Sequence, residues 1–487
     1  MLITLLIGAA LLAAIPPFFA RTARGAAIAG FLGATVVFML ALGVGATAFL
    51  SPAGPVGGLW YLDPLAGSMV ALIAFVGWTA ALASIPYLSA EAHEGVVTAS
   101  QAKHYAALSA LFVLAMLSVV VSNNLGIMWV ALEATTLTTA LLVAFYARRG
   151  SLEAAWKYLI LCSTGIALGL MGVMLTYATA SAGGTTGFAA LDLSTLLHGV
   201  SLSPALMKLA FAFILVGFGT KVGLVPMHAW LPDAHSSAPA PVSGMLSGIL
   251  LSTALFAIIR YKALADIALG NSGFTSMLLI AFGALTTLVA ALFVLVQTDY
   301  KRLLAYSSIE HMGIATFALG FGAPGALIAV IHVVGHALAK PLLFYGAGNV
   351  VLSYGSTKFE RVQGVARVLP YTAGLFLLGL LALLALPPSP LFVSETLLAA
   401  FALSAHPLAF LPIALALVIV FAGFAKLFFP FLFAHADAPR EGTPHAERWN
   451  GAHTAMALHA ALLALFGLAL ASAAAFPLVA QVASSIL

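Results

Sequence analysis

The sequence predicts an all-α protein that crosses a membrane about fourteen times. Of its 487 residues, 63% are hydrophobic and only 7% are charged, and the mean hydropathy is +1.12. Soluble domains carry about 25% charged residues because their surface faces water. Apolar runs of membrane-spanning length also recur along the whole chain. The outer surface of this protein must therefore face lipid.

About fourteen apolar runs have the length of a membrane-spanning helix, which needs roughly 20 residues. The first run lacks a basic leading segment and a clear cleavage site, so we interpret it as a retained helix rather than a signal peptide. In order, the runs are 1–20, 26–50, 66–88, 105–122, 125–147, 156–180, 205–231, 240–259, 274–297, 303–322, 325–352, 370–403, 407–433 and 453–482.

The basic residues of the loops predict the orientation of these helices. Positive loops stay on the cytoplasmic side, and an even number of spans with both termini outside puts nearly all basic loop residues on one side. We therefore expect a multi-pass protein of the cell's inner membrane with both termini non-cytoplasmic. The opposite loops hold little beyond Lys208, Arg260 and Lys262. The cytoplasmic set is Arg21, Arg24, Lys103, Arg148, Arg149, Lys301, Arg302, Lys358, Arg361, Arg367, Arg440 and Arg448.

Two of the runs contain residues that interrupt a helix. The seventh has glycines and a proline around Lys221, and the twelfth has three prolines shortly before Glu395. Interrupted helices at membrane depth occur where they line a cavity or are buried in protein, and paired interruptions indicate an inverted repeat with a transport site. The interruptions lie five helices apart, so units of five helices would be inverted relative to each other.

This spacing predicts four segments. Residues 1–104 would form an N-terminal group of three helices, and 105–263 a first five-helix repeat containing the fourth to eighth helices. Residues 264–434 would form a second, inverted repeat containing the ninth to thirteenth helices, and 435–487 the C-terminal helix.

Five ionisable residues fall inside apolar runs: Glu133, Lys221, Lys340, Glu395 and Lys426. A charge at the centre of the bilayer costs about 2.5–3.5 kcal/mol on insertion scales, so such residues face an interior cavity or each other. Ion pairs between helices are the structural alternative, but a series over several helices favours ion or proton movement. Lys426 lies near a helix end, where a lysine can extend its charge to the membrane surface instead.

His332, His336 and Lys340 are four residues apart and therefore share one face of a helix. Imidazole accepts a proton at one nitrogen while donating one from the other, so this face is typical of a proton path. Metal binding is the alternative, because histidines at this spacing can bind zinc. No carboxylate or thiol nearby in the sequence completes such a site, and we expect no bound metal.

Lysine suits the central position of a proton path. A buried lysine holds its proton weakly, and a nearby carboxylate strengthens the hold. Movement of Glu133 toward or away from Lys221 would therefore make the lysine bind or release its proton.

The chain carries no sequence signature of a redox cofactor. Cys162 is the only cysteine, whereas an iron–sulfur cluster needs about four thiolates. No glycine-rich dinucleotide motif lies between a strand and a helix, and no basic patch is interleaved with aromatic residues for nucleic acid. We therefore expect no cofactor and no nucleic-acid partner.

Four motifs in order carry a resemblance to a known family: GTKVGLVPMHAWLPDAHSSAPAPVSGMLSGILL, TDYKRLLAYSSIEHMGIATFALG, HVVGHALAKPLLF and ALPPSPLFVSE. They resemble the proton-conducting, antiporter-like membrane subunits of complex I, Mrp antiporters and group 4 membrane-bound hydrogenases. The resemblance covers roughly residues 100–430. The combination with AAWKYLILC is most similar to the hydrogenase-4 component F branch.

The resemblance implies a core of fourteen helices with two inverted five-helix bundles, each containing a broken helix. Glu133 resembles the glutamate that partners the seventh-helix lysine, here Lys221. Lys340 resembles the bridging lysine, with His332 and His336 beside it, and Glu395 resembles the terminal twelfth-helix residue.

The chain also departs from the family pattern. Ser252 stands where the middle complex I subunit has an eighth-helix lysine, and Glu310 and His311 are candidates for supplying part of the polar path instead. The secondary candidates for proton transfer are His228, Lys301, Glu310, His311 and Lys426.

Three functions follow from these residues. The first is proton translocation within a hydrogenase or complex I-like assembly, with other membrane subunits as partners. The second is cation/proton antiport of the Mrp type, with Na⁺ as a cargo. The third is an energy-coupling subunit of an inorganic-carbon uptake complex. A membrane scaffold is the structural alternative, and it predicts that Lys221→Ala and Glu133→Ala leave proton pumping intact.

Overall fold

The computed structural model describes residues 1–51, 53–198, 200–270, 272–435 and 447–486 as an almost entirely helical protein. Short 3₁₀ helices span Pro16–Phe19, Gly187–Leu191 and Phe359–Arg361. The α-helices are α1 Leu2–Leu12, α2 Ala23–Leu50, α3 Pro64–His93, α4 Ala99–Val121, α5 Leu125–Val143, α6 Arg149–Ala182, α7 Leu193–His198, α8 Pro204–Val222, α9 Trp230–Ser237, α10 Ala240–Met245, α11 Leu251–Leu269, α12 Phe274–Val294, α13 Tyr300–Leu319, α14 Gly322–Tyr354, α15 Val365–Val368, α16 Pro370–Leu383, α17 Pro390–Ala405, α18 Pro407–Phe433, α19 Gly451–Ala471 and α20 Phe476–Ser484.

The described helices confirm the polytopic membrane fold class. Twelve of them are long and apolar enough to cross a membrane, counting α1 with the 3₁₀ turn after it and α10–α11 as one span. Helix α13 has membrane-spanning length but carries Lys301, Arg302 and Glu310, and α16 and α17 are shorter apolar helices. Together they account for the remaining predicted spans. The inverted-repeat arrangement and its four-segment boundaries stay predictions.

Both predicted interruptions are present as breaks in the helices. Helix α8 ends at Val222 because Gly223 adopts a left-handed conformation, with φ of 88°, which favours glycine. The chain resumes as α9 at Trp230. In the twelfth predicted span, α16 ends at Leu383 and α17 begins at Pro390. Lys221 thus lies in the last turn of one half-helix and Glu395 in the first two turns of another.

Glycines allow α6 and α8 to pack with their backbones close together. A Cβ atom added at Gly217 would lie 2.3 Å from the Gly169 backbone nitrogen, and one at Gly165 would lie 2.6 Å from Thr220 Cβ. Only glycine fits such an approach of two helices. This contact places Lys221, at the end of α8, next to the polar residues of α5 and α6.

A small hairpin that the sequence did not predict precedes α3. Strands β1 (Gly54–Val56) and β2 (Trp60–Leu62) pair antiparallel. The next residue, Asp63, caps the N-terminus of α3 and accepts hydrogen bonds from both terminal nitrogens of the buried Arg260, at 2.6 and 2.8 Å.

The nearby Lys262 pairs with Asp266 at 2.5 Å. Two of the three basic residues assigned to the less basic side are therefore neutralised by ion pairs.

Candidate functional site

Lys221 is fully buried and hydrogen-bonded to two hydroxyl groups. Its Nζ donates to Thr136 Oγ1 on α5 and to Tyr158 OH on α6, each at 2.7 Å. Tyr158 OH lies 2.6 Å from Thr139 Oγ1, one helical turn beyond Thr136. The Lys221 ammonium group thus has two hydrogen-bond acceptors, although no carboxylate of the described residues forms an ion pair with it.

Glu133 lies next to this cluster at the edge of the bundle, where its side chain is half-buried. Thr136 Oγ1 donates to one carboxylate oxygen at 3.0 Å, and Ser163 Oγ donates to the other at 2.8 Å. Because Thr136 accepts from Lys221 and donates to Glu133, its hydroxyl bridges the two predicted partners. A proton can move along such a chain of donors and acceptors without large movement of either side chain.

His235 on α9 is the next buried titratable group along the interior. Its Nδ1 donates to the Leu231 carbonyl at 2.8 Å, which leaves Nε2 as an acceptor. That Nε2 is buried, and none of the residues that the structure describes forms a hydrogen bond with it. Buried hydrogen-bond acceptors normally have a partner, so this nitrogen fits a position that binds a water molecule or receives a proton. The sequence analysis quoted the segment containing His235 but did not select the residue.

Lys340 and His336 lie side by side on α14, as their spacing predicted, and both are fully buried. Lys340 Nζ donates to the Leu304 carbonyl at 2.9 Å and to the Ser307 hydroxyl on α13. Neither ring nitrogen of His336 has a hydrogen-bond partner in the described part of the chain. An imidazole with two unpaired nitrogens is costly in a dry interior, so this position fits a hydrated section of the interior.

Three side chains from three helices form a hydrogen-bonded chain beyond His336. Ser394 Oγ on α17 lies 3.0 Å from the Leu391 carbonyl and 3.0 Å from His332 Nδ1. His332 Nε2 lies 3.1 Å from His311 Nδ1 on α13. The contact between the two rings holds one hydrogen, which either nitrogen can carry according to the tautomers of the rings. His311 Nε2 lies 3.6 Å from Glu310 Oε2.

Glu310 and Glu395 line a cavity of about 330 Å³ at the second helix break. Each water molecule occupies roughly 30 Å³ in the liquid, so the cavity has space for several waters. Its wall continues to Val418 and Phe421 on α18, and both of these side chains are exposed. Glu310 Oε2 is buried and has no hydrogen-bond partner among the described residues.

A second polar cavity, which we call the vestibule, has a volume of about 460 Å³. Its lining includes Glu91, Arg148, Ser236, Ala238 and Lys301. Lys301 Nζ donates to the carbonyls of Ser236 and Ala238 at 3.1 and 2.7 Å. The vestibule therefore reaches the end of α9, one residue from His235.

Glu91 is connected to two tyrosines at the vestibule. Tyr146 OH donates to Glu91 Oε1 at 2.6 Å, and Tyr87 OH lies 2.8 Å from Tyr146 OH. Glu91 Oε2 is buried without a described partner. Glu91 lies near the end of α3 in the sequence segment AEAHE. The sequence offered no reason to select it, because a charged residue at a helix end resembles an ordinary loop residue.

Ser252, which stands where relatives of the resembled family carry lysine, does not join these groups. Its hydroxyl donates to the Gly248 carbonyl, and the side chain borders an apolar pocket. A different hydroxyl pair connects this helix to α13: Ser247 Oγ lies 2.7 Å from Ser308 Oγ. Ser247 belongs to a π-helical stretch, Leu246–Leu250, between α10 and α11. Such stretches often occur at functional sites.

Two predicted residues lie away from the polar cluster. The side chain of Lys426 is exposed on α18, as expected for a lysine that extends to the membrane surface. His228 lies in the break between α8 and α9, with its ring 6.1 Å from that of Phe293. The other candidates are members of the contacts described above: Glu133, Lys221, Lys301, Glu310, His311, His332, His336, Lys340 and Glu395.

The hydroxyl-bearing partners were missed by the sequence analysis, although one signal was present. The segment EATTLTT places Glu133, Thr136 and Thr139 three residues apart, and this spacing puts them on one helix face. Tyr158, Ser163, Ser307 and Ser394 have no comparable signal, because only the packing of separate helices shows which way their hydroxyls point.

Comparison with known proteins now identifies the family. Residues 122–422 match the transmembrane family of NADH:quinone oxidoreductase and Mrp antiporter subunits. The chain belongs to this family. The predicted resemblance is therefore confirmed, and proton transport is consistent with this membership.

Three curated members of the family illustrate the relationship. A hydrogenase-4 component F homolog of Methylacidiphilum infernorum is 39% identical over 75% of this chain and 77% of its own length. NADH-quinone oxidoreductase subunit N of Desulforudis audaxviator is 35% identical over 69% and 64% of the two chains. Hydrogenase-4 component B of Escherichia coli is 30% identical over 84% and 62%. The chain thus spans slightly less than two thirds of the last two.

Solved structures show the same fold. A chain of respiratory complex I from Thermus thermophilus has a TM-score of 0.73 and is 26% identical, covering 99% of this chain and 100% of its own. A chain of the archaeal membrane-bound sulfane sulfur reductase gives 0.83 at 24% identity, over 100% and 96%. A chain of the Mrp complex from Dietzia gives 0.82 at 19% identity, over 99% and 97%.

Proposed function

We propose that this chain translocates protons as an antiporter-like subunit of a hydrogenase or complex I-like energy-converting assembly. The observation that supports this most directly is the link from the fully buried Lys221 through Thr136 to the half-buried Glu133. A structural ion pair would put the two charges in contact. Here a hydroxyl separates them, and it can pass a proton between them.

The route begins at the vestibule, on the face where Arg148 and Lys301 lie. Water in the vestibule brings protons to Glu91 and to the end of α9. His235 Nε2 then accepts a proton, and water carries it on to His336 and Lys340. The two histidines support this step because their unpaired nitrogens need polar partners in an otherwise buried region.

The route ends at the second helix break. Protonated Glu310 passes a proton to His311, and the two histidines share it across their 3.1 Å contact. Glu395, whose carboxylate oxygen lies within 4.8 Å of a nitrogen of each ring, takes up that proton and releases it to the water of the cavity. This section is supported by the 3.1 Å contact between the two histidines and by the 330 Å³ cavity at the carboxylates.

Glu133 and Lys221 control this movement rather than forming its whole length. Glu133 is accessible to a neighbouring subunit at the edge of the bundle, and a charge change there would alter how strongly Lys221 holds its proton. Redox energy released in partner subunits would thereby reach the interior of this chain. The named relatives include subunits of hydrogenases and quinone oxidoreductases, which supports partners of this kind.

Proton movement and electron transfer should be measured together in membrane vesicles that contain the assembly purified with its native partners. We expect Lys221→Met and Glu133→Gln to lower the number of protons moved per electron at least about tenfold, because positioned proton-transfer groups contribute about 10²–10⁴-fold in rate. Lys426→Met is the matched control, since its exposed side chain lies outside the cluster. An unchanged proton-to-electron ratio in both site variants would support the scaffold alternative.

The same preparation distinguishes the proposed assemblies. Co-purification of a nickel–iron subunit supports the hydrogenase assembly, and small Mrp subunits with Na⁺-dependent proton movement support the antiporter. A zinc-binding soluble partner resembling carbonic anhydrase supports the inorganic-carbon uptake complex.

A further inference from the structure

His311, His332 and Glu395 form a cluster of metal-ligand atoms inside the protein. One nitrogen from each histidine and one carboxylate oxygen all lie within 4.8 Å of one another. The residues come from α13, α14 and α17, which are far apart in the sequence. This explains why the sequence analysis, which found no carboxylate near the histidines, did not predict a metal site.

The spacing of the two imidazoles suits a tetrahedral ion. His311 Nδ1 and His332 Nε2 are 3.1 Å apart. Two nitrogen ligands at about 2.0–2.1 Å from a tetrahedral zinc ion are about 3.3–3.4 Å apart. If these two nitrogens move apart by a few tenths of an ångström, a zinc ion can bind both of them in place of the shared hydrogen. We propose that His311, His332 and Glu395 bind one zinc ion, which replaces the proton shared by the two histidines.

The surroundings of the cluster supply the other features of a zinc site. His332 Nδ1 lies 3.0 Å from Ser394 Oγ. In the zinc-bound form Nδ1–H would donate to this hydroxyl, which holds the ring with Nε2 as the ligand. The cavity of about 330 Å³ beside Glu395 gives the ion access and supplies a water as fourth ligand. Glu310 lines the same cavity, and two carboxylates together balance the charge of a divalent ion.

The ligand types favour zinc over the hard cations. Imidazole suits Zn²⁺, whereas Na⁺ and Mg²⁺ prefer oxygen ligands, and Mg²⁺ keeps most of its waters. Two imidazoles and one carboxylate are a ligand set found in zinc sites that keep one position open to water.

Zinc at this site would stop proton transfer. The proton passes between His311 Nδ1 and His332 Nε2, and a bound ion occupies both atoms. This consequence rests on the proposed function, but the binding of zinc does not.

Zinc binding is tested on the purified full-length chain in detergent, with zinc alone as the probe. We expect one equivalent to bind, with X-ray absorption showing two imidazole nitrogens near 2.0 Å and one carboxylate oxygen. Glu395→Gln and His332→Gln should each raise the dissociation constant at least about 100-fold, because even outer-sphere changes cost about 10–100-fold. His336→Gln, which alters a neighbouring buried histidine outside the ligand set, should leave zinc binding unchanged.

A second buried histidine–glutamate pair provides the competing explanation. His453 Nε2 lies 2.8 Å from Glu447 Oε1. Loss of zinc binding in His453→Gln, with full binding in Glu395→Gln and His332→Gln, would overturn the proposal. Circular dichroism of each variant must show the wild-type helix content, so that a lost site is not confused with lost folding.

Measurements of proton movement distinguish a failure of the zinc-site proposal from a failure of the proposed proton translocation, on which inhibition by zinc depends. In vesicles of the assembly, zinc should inhibit proton movement by the wild-type protein, and the Glu395→Asp variant should retain inhibition at a higher zinc concentration. Zinc bound with this ligand set but without effect on proton movement would refute the block and leave the site intact. Absence of proton movement even without zinc would instead refute the proposed function.

Discussion

The hydroxyl of a single residue, Thr136, links Lys221 to Glu133 by two hydrogen bonds. It accepts from the lysine at 2.7 Å and donates to the carboxylate at 3.0 Å. Its methyl group packs like that of valine, so the hydroxyl can be removed without changing the size of the side chain. The contribution of this hydrogen-bond link can therefore be measured separately from that of the two charges.

Thr136→Val should reduce proton movement at least about tenfold while leaving the chain folded. Removing the hydroxyl takes one acceptor from a buried ammonium group, which costs about 1–3 kcal/mol in stability. Thr136→Ser keeps the hydroxyl and should retain most of the activity. Proton movement in vesicles checks both variants, and equal activities of Thr136→Val and the wild type would show that the hydroxyl carries no protons.

Only part of the residue-scale network could be predicted from the sequence. Lys221, Glu133, Lys340 and Glu395 were recognisable because a charge among apolar residues is costly in lipid. His235 and Tyr158 were not, because no spacing in the sequence groups them with the buried charges and only the direction of their side chains shows their contacts. The pairing of His311 with His332 joins two helices, and no single-sequence spacing predicts which faces of two helices meet.

At the scale of helices, the contact between α6 and α8 positions the cluster. Gly169 and Gly217 let the two backbones approach, so that Lys221 at the end of α8 meets Tyr158 on α6. Gly217 was visible in the sequence as part of the predicted helix interruption, but its contact with Gly169 on α6 was not.

Gly217→Ala should destabilise the protein by about 1–3 kcal/mol, since overpacking forces neighbouring atoms apart. The added Cβ would lie 2.3 Å from the Gly169 nitrogen. Gly374→Ala on α16 is the matched control, because a Cβ there meets no atom within 4 Å. Thermal unfolding in detergent compares the two, and equal midpoints would show that α6 and α8 are not in close contact.

The half-helix α16 is held at its N-terminus by a carboxylate from another segment. Glu447 accepts from the backbone nitrogens of Tyr371 and Thr372 at 2.6 and 3.2 Å and from His453 Nε2 at 2.8 Å. Partial burial would raise the pKa of this carboxyl group. The hydrogen bonds from His453, Thr372 and the Tyr371 backbone outweigh it and lower the pKa below its usual value.

This lowered pKa predicts a pH-dependent stability. A carboxylate with a lowered folded-state pKa stabilises the protein above its unfolded-state pKa, and the contribution is lost as the pH falls through the folded-state value. Glu447→Gln should lower the unfolding midpoint by about 1–3 °C at pH 7. The difference from the wild type should shrink as the pH drops below 4. A difference that stays constant over this range would contradict the assignment.

At the scale of the whole molecule, the proposed proton path joins two helix breaks through a buried polar interior. The sequence predicted the membrane fold, the breaks and the family, because composition, glycine and proline positions and four ordered motifs all point the same way. It did not predict the vestibule or the cavity at Glu395. Both are spaces between helices from distant parts of the chain, and their existence depends on packing alone.

The central claim is that the interior groups are joined by water into one proton path. A high-resolution structure of the chain with its native partners in a lipid nanodisc tests this most directly. We expect ordered water within hydrogen-bonding distance of His235 Nε2 and of both His336 nitrogens, continuing to Lys340. A map that resolves water in the vestibule but shows His336 enclosed by dry apolar packing would contradict it.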